Sequence, residues 1–105
     1  MKGSTRKHMK NEKVAELWVK CMLDGVFNHK PIKGNNFYGI DNYLVSYSTP
    51  ICMYENFAFV CSTKKYTLTT QRHRYYMNKA IMDIKNIDPR IESRSVEELQ
   101  GNIYI

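Results

Sequence analysis

The stretch YLVSYSTPICMYENFAFVC, residues 43–61, decides the fold. It is rich in aromatic and β-branched residues, and turn-compatible residues break it into short runs, which is the pattern of strands folded back on one another. Strands are expected at Tyr43 to Tyr47, Ile51 to Tyr54, Phe57 to Cys61 and, past a polar turn, Tyr66 to Thr69. Thr49 and Pro50 read as a corner and Glu55 with Asn56 as a two-residue connection, where Asn56 tolerates positive φ. The polar turn, Ser62 to Lys65, exposes Lys64 and Lys65.

Working outward, the apolar period changes from two to 3.6. Downstream, Thr70 is placed to cap a helix whose His73, Met77, Ala80, Ile81 and Ile84 fall on one side and which ends near Lys85. Its opposite side gathers Arg72, Tyr75, Tyr76 and Lys79. Upstream, Asn11 offers a cap, and Val14, Leu17, Trp18, Cys21 and Met22 recur at helical spacing until Gly25, predicting a helix over 11–24. Pro31, Gly34 and two asparagines mark 26–36 as a loop. Asp88 and Pro89 end the second helix, and Ser95 with Glu98 reads as a capping box before a short helical turn closed by Gly101. The last four residues are assigned an edge strand or a free end. The fold class is therefore α+β: a small antiparallel meander of three to four strands packed against two main helices. Residues 1–10, with Lys2, Arg6, Lys7, His8 and Lys10, read as a flexible basic arm, and 11–105 as one domain.

At 105 residues, with 43% hydrophobic and 25% charged residues, the chain has the size and composition of one globular unit. It contains no apolar run of the roughly 18 residues that span a bilayer and no signal-peptide pattern, so a cytoplasmic location is expected. Cys21, Cys52 and Cys61 match no C-x-x-C spacing and read as reduced, mostly buried thiols. The net charge of +6 is unevenly spread. Residues 60–79 hold Lys64, Lys65, Arg72, Arg74 and Lys79 against no acid, whereas five acids follow from Asp83 onward. Such patterning suits a polyanion or an acidic protein surface.

No pair of carboxylates stands out as an acid/base couple, no nucleophile elbow or phosphate loop is present in the sequence, and His8, His29 and His73 lack the short spacing of zinc ligands. No enzyme activity, cofactor or metal is expected, although a Cys61 and His73 pair is formally compatible with nucleophilic chemistry. The densest chemistry runs from Ser62 to Lys79. Helix N-terminal amides, the Thr70 hydroxyl and flanking Lys64, Lys65, Arg72 and Arg74 make an anion site, while Tyr75 and Tyr76 beside arginine stack on bases or anchor a protein interface. The expected binding set is Lys64, Lys65, Thr70, Arg72, Arg74, Tyr75, Tyr76 and Lys79. Arg72 and Arg74 are both expected to be exposed.

Ser46, Tyr47, Ser48, Thr49, Pro50 and Ile51, followed after a hairpin by Lys65 through His73, resemble an uncharacterised small domain of phage and plasmid proteins. The resemblance covers residues 43–77, with Ser48 where glycine is common and Leu68 in place of a small aliphatic residue. It implies a mobile-element origin and carries no known activity. The expected function is a non-enzymatic binding protein acting on nucleic acid or on a host protein that handles it. The alternative is an anti-defence inhibitor, of anti-CRISPR type, that blocks a host protein. Neither membrane nor small-molecule substrate is expected as a partner.

Overall fold

The computed structural model describes residues 9–27 and 30–103. The elements are α1 (Asn11–Leu23), β1 (Ile32–Lys33), β2 (Phe37–Ile40), β3 (Tyr43–Ser46), β4 (Thr49–Glu55), β5 (Ala58–Ser62), α2 (Leu68–Ile87) and β6 (Glu92–Val96). The strands form one six-stranded sheet in chain order. The first five pair antiparallel, and α2 is the crossover that brings β6 parallel to β5. The α+β class and the two helices are as expected, while six strands replace the three or four of the sequence reading.

The two helices bury their apolar stripes on one face of this sheet. In α1 the stripe is Val14, Ala15, Trp18, Val19 and Met22, turned slightly from the expected one, so that Leu17 and Cys21 are only partly buried. The Trp18 ring meets Phe59 edge-on at 5.6 Å, and Tyr54 packs on Phe59 at 4.8 Å. Gly39 of β2 lies under Trp18: a Cβ there would stand 2.8 Å from the indole, so the close approach of helix to sheet requires glycine. The helix ends in a Schellman motif. Gly25, at φ 74°, donates to the Met22 carbonyl, and Val26 N–H reaches back to Cys21 at 2.8 Å.

Three tight turns fix the register. Ile40 faces Tyr43, Ser46 faces Thr49 and Glu55 faces Ala58, leaving two-residue connections at Asp41 and Asn42, Tyr47 and Ser48, and Asn56 and Phe57. The expected turn at Glu55 and Asn56 is thus displaced by one residue. Pro50 is inside β4 rather than at a corner, where a bulge opposite Leu44 and Val45 accommodates its missing N–H. Asn56 and Phe57 both have positive φ, at 51° and 63°, and Phe57 is 83% exposed at the hairpin tip. Asn-Gly is the sequence such a turn prefers, so Phe57→Gly should raise the unfolding free energy by about 1 kcal/mol in urea denaturation. Unchanged or lower stability would show that the Phe57 ring contributes more than its backbone strain costs.

Other expectations are corrected. Residues 66–69 are not a strand: Thr67 caps α2, its hydroxyl accepting from Thr70 N–H at 3.3 Å, and Leu68 already lies in the helix. Thr70 is therefore not the cap. Asn11 is not a cap either, because Lys10 occupies that position. The loop assigned to 26–36 contains β1, and β2 follows it. No helical turn begins at Ser95, which pairs with Cys61 inside β6. Of the expected basic arm, Met9 N–H bonds the Lys33 carbonyl at 3.0 Å, while residues 1–8 lie outside the described residues, as does His29.

The sheet's second face carries a row in cross-strand register, Tyr43, Met53, Val60 and Arg94. The chain after β6 crosses this face, burying Leu99 and bonding Ile103 N–H to the Ser48 carbonyl at 2.8 Å. An open groove of about 510 Å³ is left between them.

Candidate interaction surface

The long helix α2 divides its side chains between a buried polar anchor and an outward stripe. On the inner side, His73 is 2% exposed and stacks on Phe37 at 4.6 Å. Its Nδ1 lies 2.7 Å from the Ser46 hydroxyl, which is itself 2.9 Å from the Thr70 hydroxyl. Its Nε2 lies 3.3 Å from the Asn11 side-chain amide, whose Nδ2 donates to the Asn35 carbonyl and whose Oδ1 accepts from Asn35 N–H. One imidazole thus ties α2 to β3, to α1 and, through Asn11, to the turn before β2.

A serine, a histidine and an asparagine in sequence-distant contact look like a catalytic relay. Here Ser46 is 1% exposed and its oxygen is held between Thr70 and His73, so no substrate carbonyl reaches it. The cluster acts as a satisfied buried network that fixes helix against sheet. Burial holds the His73 pKa below its usual range, which keeps the ring neutral and able to accept at one nitrogen. The linkage follows directly. Above the unfolded-state value of about 6.5 the neutral ring carries no penalty, but as pH falls below it the unfolded chain takes up a proton that the folded chain resists. Thermal midpoints should therefore drop between pH 7 and 5, and this part of the slope should vanish in His73→Gln. An unaltered slope in that variant would exclude His73 as its source.

On the outer side, Leu68, Arg72, Tyr75, Lys79 and Met82 follow one another at intervals of three and four. Leu68 is 75% exposed, Tyr75 62% and Met82 54%. Arg72 makes no ion pair or hydrogen bond among the described residues, whereas Lys79 pairs with Asp83 at 3.0 Å, which raises its pKa. This stripe contains three of the eight expected binding residues, Arg72, Tyr75 and Lys79. Sequence patterning puts Leu68 in a strand and Met82 on no face, which hides the two aliphatic members of the stripe.

The other five lie elsewhere. Thr70 is buried against Ser46. Tyr76 is half-buried against the core, its ring edge-on to Tyr75 at 5.9 Å. Lys65 is exposed in the segment before α2. Lys64 pairs with Glu98 at 2.9 Å, which raises its pKa and balances its charge, and its ammonium stands 5.6 Å from the Tyr66 ring. Arg74 is not exposed as expected. It turns inward to Gln71 at 3.1 Å, with its Nε buried and unpartnered among the described residues. Arg74 Nη1 also donates to the Lys64 carbonyl at 3.5 Å, so these two residues do meet beside the start of α2, whereas the Thr70 hydroxyl turns to Ser46 and the Cys61 thiol faces Cys52.

The fold and this surface define a small α+β protein with one helix laid across a sheet and presenting an apolar and cationic outer stripe. A family of unknown function (DUF8033) matches residues 4–92, and the chain belongs to that family. No curated protein and no solved structure matches it. No described helix is long and apolar enough to cross a membrane, and the described residues contain no cluster of three or more metal-ligating side chains.

Proposed function

We propose that this chain is a non-enzymatic binding protein whose α2 outer stripe docks into an apolar, acid-rimmed cleft of a protein partner. The supporting observation is the alternation of exposed Leu68, Tyr75 and Met82 with Arg72 and Lys79 along one helix face. Large apolar side chains on a helix exterior are costly to leave in water, and Tyr, Met and Arg are the types enriched at protein interfaces. The +6 net charge and the exposed Arg72, which has no ion-pair partner among the described residues, favour acidic groups around the cleft. A phosphate backbone is the less favoured partner, because Lys64 and Lys79 are already paired with carboxylates and Arg74 faces inward. The partner class that accords with the sequence reading is a host protein that handles or defends nucleic acid. Blocking it, as an element-encoded inhibitor would, requires only occupancy of its cleft.

The deciding experiment is a titration of the purified protein against short single-stranded and duplex DNA and RNA at low and near-physiological salt. Binding to phosphates weakens steeply with salt through counterion release. The proposal expects any nucleic-acid binding to disappear at near-physiological salt. Tight binding that persists there and is lost in Arg72→Ala would overturn it in favour of a polyanion partner.

A further inference from the structure

Cys52 and Cys61 form a facing pair that neither the polar anchor nor the outer stripe of α2 uses. They are direct partners across β4 and β5, and their sulfurs stand 3.2 Å apart. Facing residues of an antiparallel pair have Cα atoms roughly 4.5–5.5 Å apart, inside the span of about 4.4–6.8 Å that a disulfide bridges. The bond can therefore form by side-chain rotation with neither strand displaced. The two sulfurs are chemically distinct. Cys52 is fully buried, whereas Cys61 is only partly buried at its position on β5. The contact with Cys52, in which either sulfur can donate, lowers the Cys61 pKa together with the nearby Arg74 charge, while burial raises that of Cys52. Arg74, whose Nε is buried without a partner among the described residues, supplies the cationic setting that a reactive thiolate needs.

We propose that Cys61 and Cys52 constitute a two-thiol modification site for hydroperoxides, with partly buried Cys61 as the reacting sulfur and fully buried Cys52 as the resolving one. In the first step the Cys61 thiolate attacks the terminal oxygen of the hydroperoxide. An S–O bond forms, the O–O bond breaks, and the departing hydroxide or alkoxide takes a proton from water. In the second step the Cys52 sulfur attacks the Cys61 sulfenic acid: the S–S bond forms, the S–O bond breaks, and hydroxide leaves as water with the Cys52 proton. The two thiols lose two electrons in all, and the peroxide gains them. A low-molecular-weight thiol reverses the bond by exchange.

Cys21 is the internal control, since it is also half-buried but faces no second sulfur among the described residues. Wild-type protein is treated with hydrogen peroxide, then alkylated and mapped by mass spectrometry. The expected product is an intramolecular Cys52 to Cys61 disulfide, with two hydrogens lost from the intact mass and regained with dithiothreitol. Iodoacetamide should label Cys61 of the reduced protein at least about tenfold faster than Cys21. In Cys52→Ala, peroxide should leave a sulfenic acid on Cys61 that dimedone traps. Oxidation of Cys21 at the same rate as Cys61, or a disulfide found only between molecules, would overturn the proposal. Because the first two measurements use the unaltered chain, a Cys52→Ala variant that failed to fold would leave them decisive.

Discussion

Replacing His73 by alanine is expected to lower the unfolding free energy by about 3 kcal/mol, measured by urea denaturation at pH 7. Three losses combine. The ring stacked on Phe37 disappears and leaves a void between α2 and the sheet. The Ser46 hydroxyl loses its 2.7 Å partner, although Thr70 still satisfies it in part. The Asn11 amide loses Nε2 and keeps only the Asn35 backbone. Ser46→Ala removes one hydroxyl without a large void and should cost about 1 kcal/mol. Arg72→Ala, on the exposed side of the same helix, should stay within about 0.5 kcal/mol of wild type. A His73→Ala cost below about 1 kcal/mol would mean that the polar anchor is dispensable. Helix and sheet would then be held by Met77, Ala80 and Ile81 alone.

What the sequence revealed and what it hid have separate physical causes. Both helices were legible because a 3.6-residue apolar period persists over their lengths, and β3 to β5 because aromatic and β-branched residues dominate them. β2 stayed hidden behind Gly39, a residue that weakens strands and is present for Trp18 rather than for the ladder. β6 is polar up to its last residue, Val96, and its hydrogen-bond partner β5 lies some thirty residues earlier, so no local pattern announces it. The cysteine pair turned on one residue of register. With the turn at Glu55 and Asn56, Cys52 would face Phe59; with it at Asn56 and Phe57, Cys52 faces Cys61. The buried role of Thr70 escaped for a similar reason. Thr67 and Thr70 are both plausible caps by type, and only the start of the helix at Leu68 chooses between them.

The double variant Arg72→Ala, Tyr75→Ala is expected to weaken binding to the protein partner at least about a hundredfold while leaving the thermal midpoint within a degree or two of wild type. The binding part rests on the character of these two positions. An exposed Tyr ring and an exposed guanidinium, one helical turn apart, are the residue types that dominate interface energetics, at about 2 kcal/mol or more each when fully enclosed. Leu68 and Met82, above and below them on the stripe, would form the apolar contacts that exclude water around that pair. The stability part rests on exposure: Arg72 and Tyr75 lie on the outer side of α2, and among the described aromatic rings Tyr75 contacts only the edge of Tyr76. The measurement is paired. Calorimetry or surface capture gives the affinity change, and a thermal melt of the same preparation gives the midpoint. Arg74→Ala is the discriminating control, since Arg74 turns inward and should lower the melt more than it lowers affinity. If the double variant bound as wild type does, the α2 stripe would be excluded. The sheet's second face, with Tyr43, Met53, Val60 and Arg94 in one row, would then be the surface to alter next.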